Sequence, residues 1–190
     1  MLKIEHLEKR FGETCLFRDL NLTVDGPAVL WAPSGWGKTT LLRILMGLET
    51  PTGGTVQGVG RVGAVFQEDR LCPQLTALQN VLLVRPGDGH AEEDAVRADF
   101  ARLGMDAAAL RLPAWKLSGG QKRRTALLRA LWVPSDTLLL DEPFTGMDPE
   151  TLHRAALLLK ERCAGKPVLL ATHDREAIAA LDWPVVALAK

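Results

Sequence analysis

Tyrosine is absent from this chain of 190 residues, and aromatic side chains make up 5% of it. Any position that requires a large ring must be filled by one of five Phe or five Trp. Excess charge is also missing: Lys plus Arg equals Asp plus Glu, at 23 each. A dedicated nucleic-acid binder carries a basic excess, so no nucleic-acid partner is expected. Cysteine is sparse. Cys15, Cys72 and Cys163 are far apart and form no CxxC, which excludes a disulfide framework or a thiolate zinc site and fits a reducing compartment. No apolar run reaches the ~18 residues that span a bilayer, and the N-terminal stretch MLKIEHLEKRFG lacks a signal-peptide core. Any role at a membrane must come through a partner. Internal repeats and low-complexity tails are lacking too.

What is present is an ordinary globular composition, 47% hydrophobic, of a length that suits one α/β domain. Residues 2–8 (LKIEHLE) alternate apolar and polar, as an edge strand does, and 20–24 (LNLTV) repeat the pattern. The runs at 27–31, 62–66, 137–140, 167–171 and 184–188 read as buried strands. Helices are expected over 38–48, 149–163 and 174–181, and Gly53, Gly54, Gly58 and Gly60 break up a short hairpin region. From 68 to 132 the character is helical, with Val96, Phe100 and Leu103 on one apolar face. The stretch 88–98 reads as a solvated, acidic helix start. Short apolar strands alternating with helices imply a largely parallel sheet covered on both faces.

The strand at 27–31 runs into APSGWGKTT, residues 32–40, and then into a helix. That strand–turn–helix context gives the GK[ST] match a mechanism. Gly35 and Gly37 let the backbone curl so that N–H groups face phosphate oxygens, and the helix N-terminus adds partial positive charge. Lys38 is placed to reach the β- and γ-phosphates, the Thr39 hydroxyl to sit on Mg²⁺, and Thr40 to lie near the α-phosphate. Ala32 stands where the motif has its first glycine. If that position needs positive φ, Ala32 is strained by about 1 kcal/mol; if it needs only a small side chain, Ala32 is harmless.

Residues 117–121 read LSGGQ. Ser118 is a good N-cap for a helix over 121–131, and Gly119 and Gly120 leave the first N–H groups bare as a second anion site. Residues 137–143 read TLLLDEP, a buried strand that delivers two adjacent carboxylates, Asp141 and Glu142, at its C-terminal end, where open α/β sheets hold ligands. Neighbouring residues leaving a strand point apart, and Pro143 is expected to hold Glu142 extended. Two acids beside a triphosphate imply Mg²⁺.

Taken together, these motifs resemble the ABC ATPases, and the resemblance runs from Phe11 to His173. It implies a P-loop NTPase of ABC type, with a mainly parallel central sheet, an N-terminal antiparallel β part and a helical subdomain. A single domain over 1–190 is implied, with a core of 1–67 and 133–190 and a helical, signature-bearing part over 68–132. ATP would contact Phe11, Ala32, Pro33, Ser34, Gly35, Trp36, Gly37, Lys38, Thr39 and Thr40. Phe11 would stack on adenine, the alternative being a place in the core. Asp141, Thr39 and Gln67 would hold Mg²⁺. Glu142 would polarise the attacking water, with Gln67 beside it and His173 on the γ-phosphate. Leu117, Ser118, Gly119, Gly120 and Gln121 would act on the ATP of a second copy in a head-to-tail dimer, with Asp148 at the seam. Asp148 also reads as an N-cap. His6, His90 and His153 carry no assignment. The stretch from Lys38 to Gln67 is about ten residues short of the family pattern, which predicts a trimmed antiparallel hairpin. The chain ends one strand after His173, which leaves no room for a C-terminal regulatory domain.

The activity so implied is ATP hydrolysis driving solute transport, import rather than export, on the cytoplasmic face of a membrane permease. The second partner is another copy or a paralogue, and a solute-binding protein fits the scheme. The segment 65–81 (VFQEDRLCPQLTALQNV) is similar to ATPases of nitrate, sulfonate and taurine importers. Two alternatives stay open here: a soluble ABC-type ATPase of cofactor or cluster assembly, and a P-loop module that switches without hydrolysis.

Overall fold

The computed structural model describes residues 1–33, 35–86, 92–163 and 165–188. The elements, in order, are β1 (Leu2–Phe11), β2 (Thr14–Val24), β3 (Pro27–Trp31), α1 (Lys38–Leu45), β4 (Gly53–Gln57), β5 (Val62–Val65), α2 (Ala77–Leu82), α3 (Glu93–Arg102), α4 (Gly119–Trp132), β6 (Thr137–Asp141), α5 (Pro149–Arg162), β7 (Val168–Ala171), α6 (Arg175–Leu181) and β8 (Val185–Ala187). Two 3₁₀ turns, Ala109–Arg111 and Ala114–Lys116, lead into α4.

β5, β6, β7, β3 and β8 form, in that order, a parallel five-stranded sheet. Its strands are short and apolar because both faces are covered. Along β6, Leu138 and Leu140 face one packing layer with α4 and α5, while Leu139 faces the other with α1 and β1. β7 repeats the alternation: Val168 and Leu170 join the first layer, Leu169 and Ala171 the second.

The second sheet is antiparallel, ordered β2-β1-β4. β1 is therefore a central strand, not the edge its alternation suggested: both of its backbone edges are paired, and Leu2, Ile4 and Leu7 alone face the core. Nor is there a hairpin at Gly53–Gly60. β4 pairs with β1 and β5 with β6, so the chain crosses between sheets there, turning through Gly58 (φ 76°) and Gly60 (φ 64°).

Between β5 and β6 the described residues are helical or irregular, with one isolated bridge between Thr76 and Pro113. Val96, Phe100 and Leu103 are fully buried on one face of α3 and its end. Of the acidic stretch 88–98, residues 88–91 lie outside the described residues; the rest starts α3. Asn80 of α2, fully buried, accepts from the Cys72 amide and donates to the carbonyls of Cys72, Leu75 and Thr76, which locks the loop that follows β5. At the far end, buried Asp99 of α3 accepts hydrogen bonds from Trp132 Nε1 (2.9 Å) at the end of α4 and from an Arg162 Nη (2.6 Å) at the end of α5.

Candidate active site

Four parallel-sheet exits converge on one cavity of about 420 Å³, lined by Leu16, Gly35, Gly37, Lys38, Thr39, Thr40, Gln67, Asp141, Glu142 and His173. The turn after β3 supplies the floor. Gly35 (φ 77°) and Gly37 (φ 107°) both occupy the left-handed region. A Cβ on Gly37 would also stand 2.5 Å from Leu16 Cδ2 and push that side chain aside, adding to the strain of the left-handed backbone. Ala32 is buried and is not among the non-glycine residues with positive φ found among the described residues. The position before the loop needs a small side chain, not a special backbone, and alanine meets that without strain. Lys38 Nζ donates to the carbonyls of Ala32 (2.6 Å) and Pro33 (3.4 Å), which holds the ammonium across the loop. α1 begins at Lys38, and the first-turn N–H groups of a helix have no partner inside it. Ser34 lies outside the described residues.

β6 delivers the acids. Asp141 is its last residue, buried, beside the hydroxyl of Thr39. Burial pushes its carboxyl above the usual range; the Thr39 hydrogen bond opposes that and the neighbouring Glu142 adds to it. Glu142 is not extended, contrary to expectation: its φ is 49°. Its N–H completes the ladder to the Ala171 carbonyl (2.9 Å), while its own carbonyl turns back to accept from the Thr145 amide (3.3 Å) and hydroxyl (3.1 Å). Pro143 excludes the right-handed region before it without forcing extension. Adjacent β7 is followed directly by Thr172 and His173. Thr172 Oγ1 donates to Glu142 Oε2 (2.9 Å), and His173 Nδ1 lies 2.7 Å from Glu142 Oε1. The carboxylate is thus aimed from both oxygens. Thr172 was missed by sequence reasoning, although its place directly before His173 was a usable signal; Leu16, from another sheet, gave none.

Residues 117–121 do not line this cavity. Ser118 caps α4 in a reciprocal box with Gln121: the Gln121 amide donates to Ser118 Oγ (3.3 Å) and the Ser118 amide to Gln121 Oε1 (2.9 Å). A Cβ on Gly120 would lie 3.0 Å from the Gly146 carbonyl, so this cap abuts the turn 145–148. Leu117 is buried beneath it. Asp148 caps α5, accepting from the Thr151 amide (2.9 Å) and hydroxyl (2.7 Å), which hold its carboxyl below the usual range.

Two rings near the loop differ in placement. Phe11 is 51% exposed with Lys9 Nζ 4.5 Å from its ring centre, which excludes a core role. Trp36 is buried and stacks on Phe17 (5.3 Å between centroids). Its indole lines a separate cavity of about 740 Å³ behind the loop, so only its backbone belongs to the phosphate turn.

Oxygen donors at Thr39, Gln67 and Asp141 suit a small hard cation, which would add to the charges of Lys38 and Arg123 in offsetting the burial of the Asp141 carboxylate. Among the described residues, no helix is long and apolar enough to cross a membrane.

Residues 18–145 match the model of a family described as ABC transporter. An aliphatic sulfonates import ATP-binding protein, SsuB 1 of Rhodococcus jostii (strain RHA1), is 41% identical over 94% of this chain and 75% of its own length. A taurine import ATP-binding protein, TauB of Pseudomonas aeruginosa (strain UCBPP-PA14), is 42% identical over 88% of this chain and 69% of its own. Among solved structures, the dimeric ATP-binding cassette MJ0796 in a post-hydrolysis state with ADP and Pi superposes with a TM-score of 0.83 at 27% identity, covering 99% of this chain and 94% of that one.

Proposed function

The chain belongs to the ABC transporter family, and we propose that it is the ATP-hydrolysing subunit that drives solute import through a partner membrane permease. The observation that carries this reading is the single cavity in which Lys38, Thr39, Gln67, Asp141, Glu142 and His173 meet at the carboxyl ends of parallel strands. A bare phosphate-binding module needs the loop alone. A carboxylate gripped by Thr172 and His173 is built for work on a water molecule.

The residues divide the chemistry as follows. The curled turn and Lys38 bind phosphate oxygens, with the ammonium exchanging the Ala32 and Pro33 carbonyls for them. Thr39, Asp141 and Gln67 would hold Mg²⁺, which would supply charge neutralisation on the phosphates. Glu142 accepts the proton of the attacking water, and His173 and Thr172 fix its orientation. Phe11, exposed and backed by Lys9, offers a face for the adenine. Ser118 to Gln121 and Asp148 lie outside the cavity, on the surface that a second copy would bring to the first copy's ATP; the related MJ0796 cassette is a dimer. The permease would dock at the cleft of about 300 Å³ formed by Asp69, Arg70, Leu71, Pro73, Ala114 and exposed Trp115, next to Gln67.

The names of the relatives make organosulfonates the first cargo class to test, with selection residing in the permease. The deciding experiment is phosphate release by the chain co-expressed with a candidate permease. Stimulation over the isolated subunit, lost in Lys38→Ala, is expected. A Lys38→Ala variant with unchanged ATP affinity refutes the loop assignment, and equal release with and without permease refutes transport coupling.

A further inference from the structure

The route from the LSGGQ helix to the catalytic cavity runs through a buried arginine. Arg123 lies on α4, five residues beyond Ser118, and is 6% exposed. Removing a guanidinium from water costs several kcal/mol unless its donors are matched. Here the two terminal nitrogens are matched: Nη1 donates to the Phe66 carbonyl (2.7 Å) and Nη2 to the Gln67 carbonyl (2.5 Å), while Nε lies 3.4 Å from Asp69 Oδ1 as an ion pair without hydrogen-bond geometry. Arg129, six residues on, donates to two carbonyls farther along the loop, those of Asp69 (3.1 Å) and Arg70 (2.8 Å).

These contacts fall where the backbone needs them. β5 leaves its ladder with β6 at Val65, paired with Leu140, so Phe66 and Gln67 lie beyond the last strand pair. The planar fork of Arg123 takes over at that point and fixes two successive carbonyls at once. That leaves the peptide plane at Gln67 little freedom to turn. The Gln67 side chain forms part of the cavity wall with Asp141 and Glu142. The same charge reaches Asp141 and favours its ionised form.

We propose that Arg123 is a positioning residue for hydrolysis: it clamps the backbone at Phe66 and Gln67 so that the Gln67 amide is presented to the metal and water side of the cavity. It touches neither nucleotide nor water and acts through Gln67. This rests on the proposed role of Gln67.

A double-mutant cycle separates the two claims. Wild type, Arg123→Met, Gln67→Ala and the double variant are compared for kcat and KM in ATP hydrolysis, with melting temperature and mant-ATP binding measured alongside. Arg123→Met is expected to lower kcat by ten- to a hundredfold, roughly the penalty of a small misplacement, with KM within about twofold. The double variant should match Gln67→Ala within about twofold, because a clamp has nothing to act on once the amide is gone. Arg123→Lys, which keeps the charge but loses the fork, should fall between wild type and Arg123→Met and serves if Arg123→Met folds poorly. A double variant that loses the full Arg123→Met factor on top of Gln67→Ala overturns the clamp and leaves Gln67 in place. Wild-type kcat in Gln67→Ala removes the role of Gln67 and the clamp with it. Arg123→Lys at the Arg123→Met rate, with a matching fall in melting temperature, reduces Arg123 to a structural residue.

Discussion

The carboxylates at 141 and 142 differ in environment although they are adjacent in sequence. Glu142 is held open by Thr172 and His173, in a left-handed conformation that costs on the order of 1–3 kcal/mol. Glu142→Gln is expected to bind ATP and cut turnover by about 10²- to 10⁴-fold. Sedimentation with ATP and Mg²⁺ should then show a stable dimer, and a monomer alone would count against the shared-site arrangement. Asp141 is desolvated and its pKa is raised. Its protonated form is favoured by folding, so its contribution to stability is full below the unfolded carboxylate pKa and is lost as pH rises through the folded value. At neutral pH Asp141→Asn should therefore raise the melting temperature of the nucleotide-free chain by about 2–4 °C, equivalent to ~1 kcal/mol for this size, while abolishing hydrolysis. An unchanged or lower melting temperature would contradict the desolvation argument. Cys163 offers a third check. Its thiol is fully buried and pushed up to about 12 by that burial, so native alkylation should label Cys15 and Cys72 and spare Cys163 until unfolding.

At the scale of elements, the ends of helices matter more than their interiors. α3, α4 and α5 meet at Asp99, whose carboxylate receives both Trp132 Nε1 and Arg162. Arg162 also lies over the Trp132 ring, 4.6 Å from its centre. Asp99→Ala strands the buried indole N–H, while the part-exposed Arg162 stays solvated, and should cost about 2 kcal/mol, read from urea unfolding; a loss below about 0.5 kcal/mol would show that water replaces the carboxylate. The phosphate turn is backed by the Trp36–Phe17 stack, which joins it to β2. Nucleotide that reshapes the turn should shift tryptophan emission, and most of the shift should vanish in Trp36→Phe. An unaltered response in that variant would place the reporter elsewhere. Local sequence rules read most elements correctly because each strand and helix declares its own period. They misplaced β1 as an edge and read the Gly53–Gly60 stretch as a hairpin region, because strand pairing depends on segments distant in sequence. The extended Glu142 failed for the same reason: its φ is set by Ala171 and Thr145, not by Pro143 alone.

Over the whole molecule, the cavity exists because four loops leave one sheet edge together, and that edge depends on the crossing order β5-β6-β7-β3-β8. The sequence alone determined the chemistry on offer: a lysine turn, paired acids, a capped glycine helix, and no span for crossing a bilayer. Those are short-range signals, written in residue type and spacing, and the match to the ABC transporter family rests on them. Tertiary structure alone decided which groups touch. It put Thr172 and His173 on the two oxygens of Glu142, buried the Trp36 indole against Phe17, left Phe11 exposed, and drove Arg123 from α4 into the loop that carries Gln67. Hydrogen bonds reach only about 3 Å, so partners that lie 30 residues apart, as Thr172 and Glu142 do, become neighbours only once the sheet has assembled.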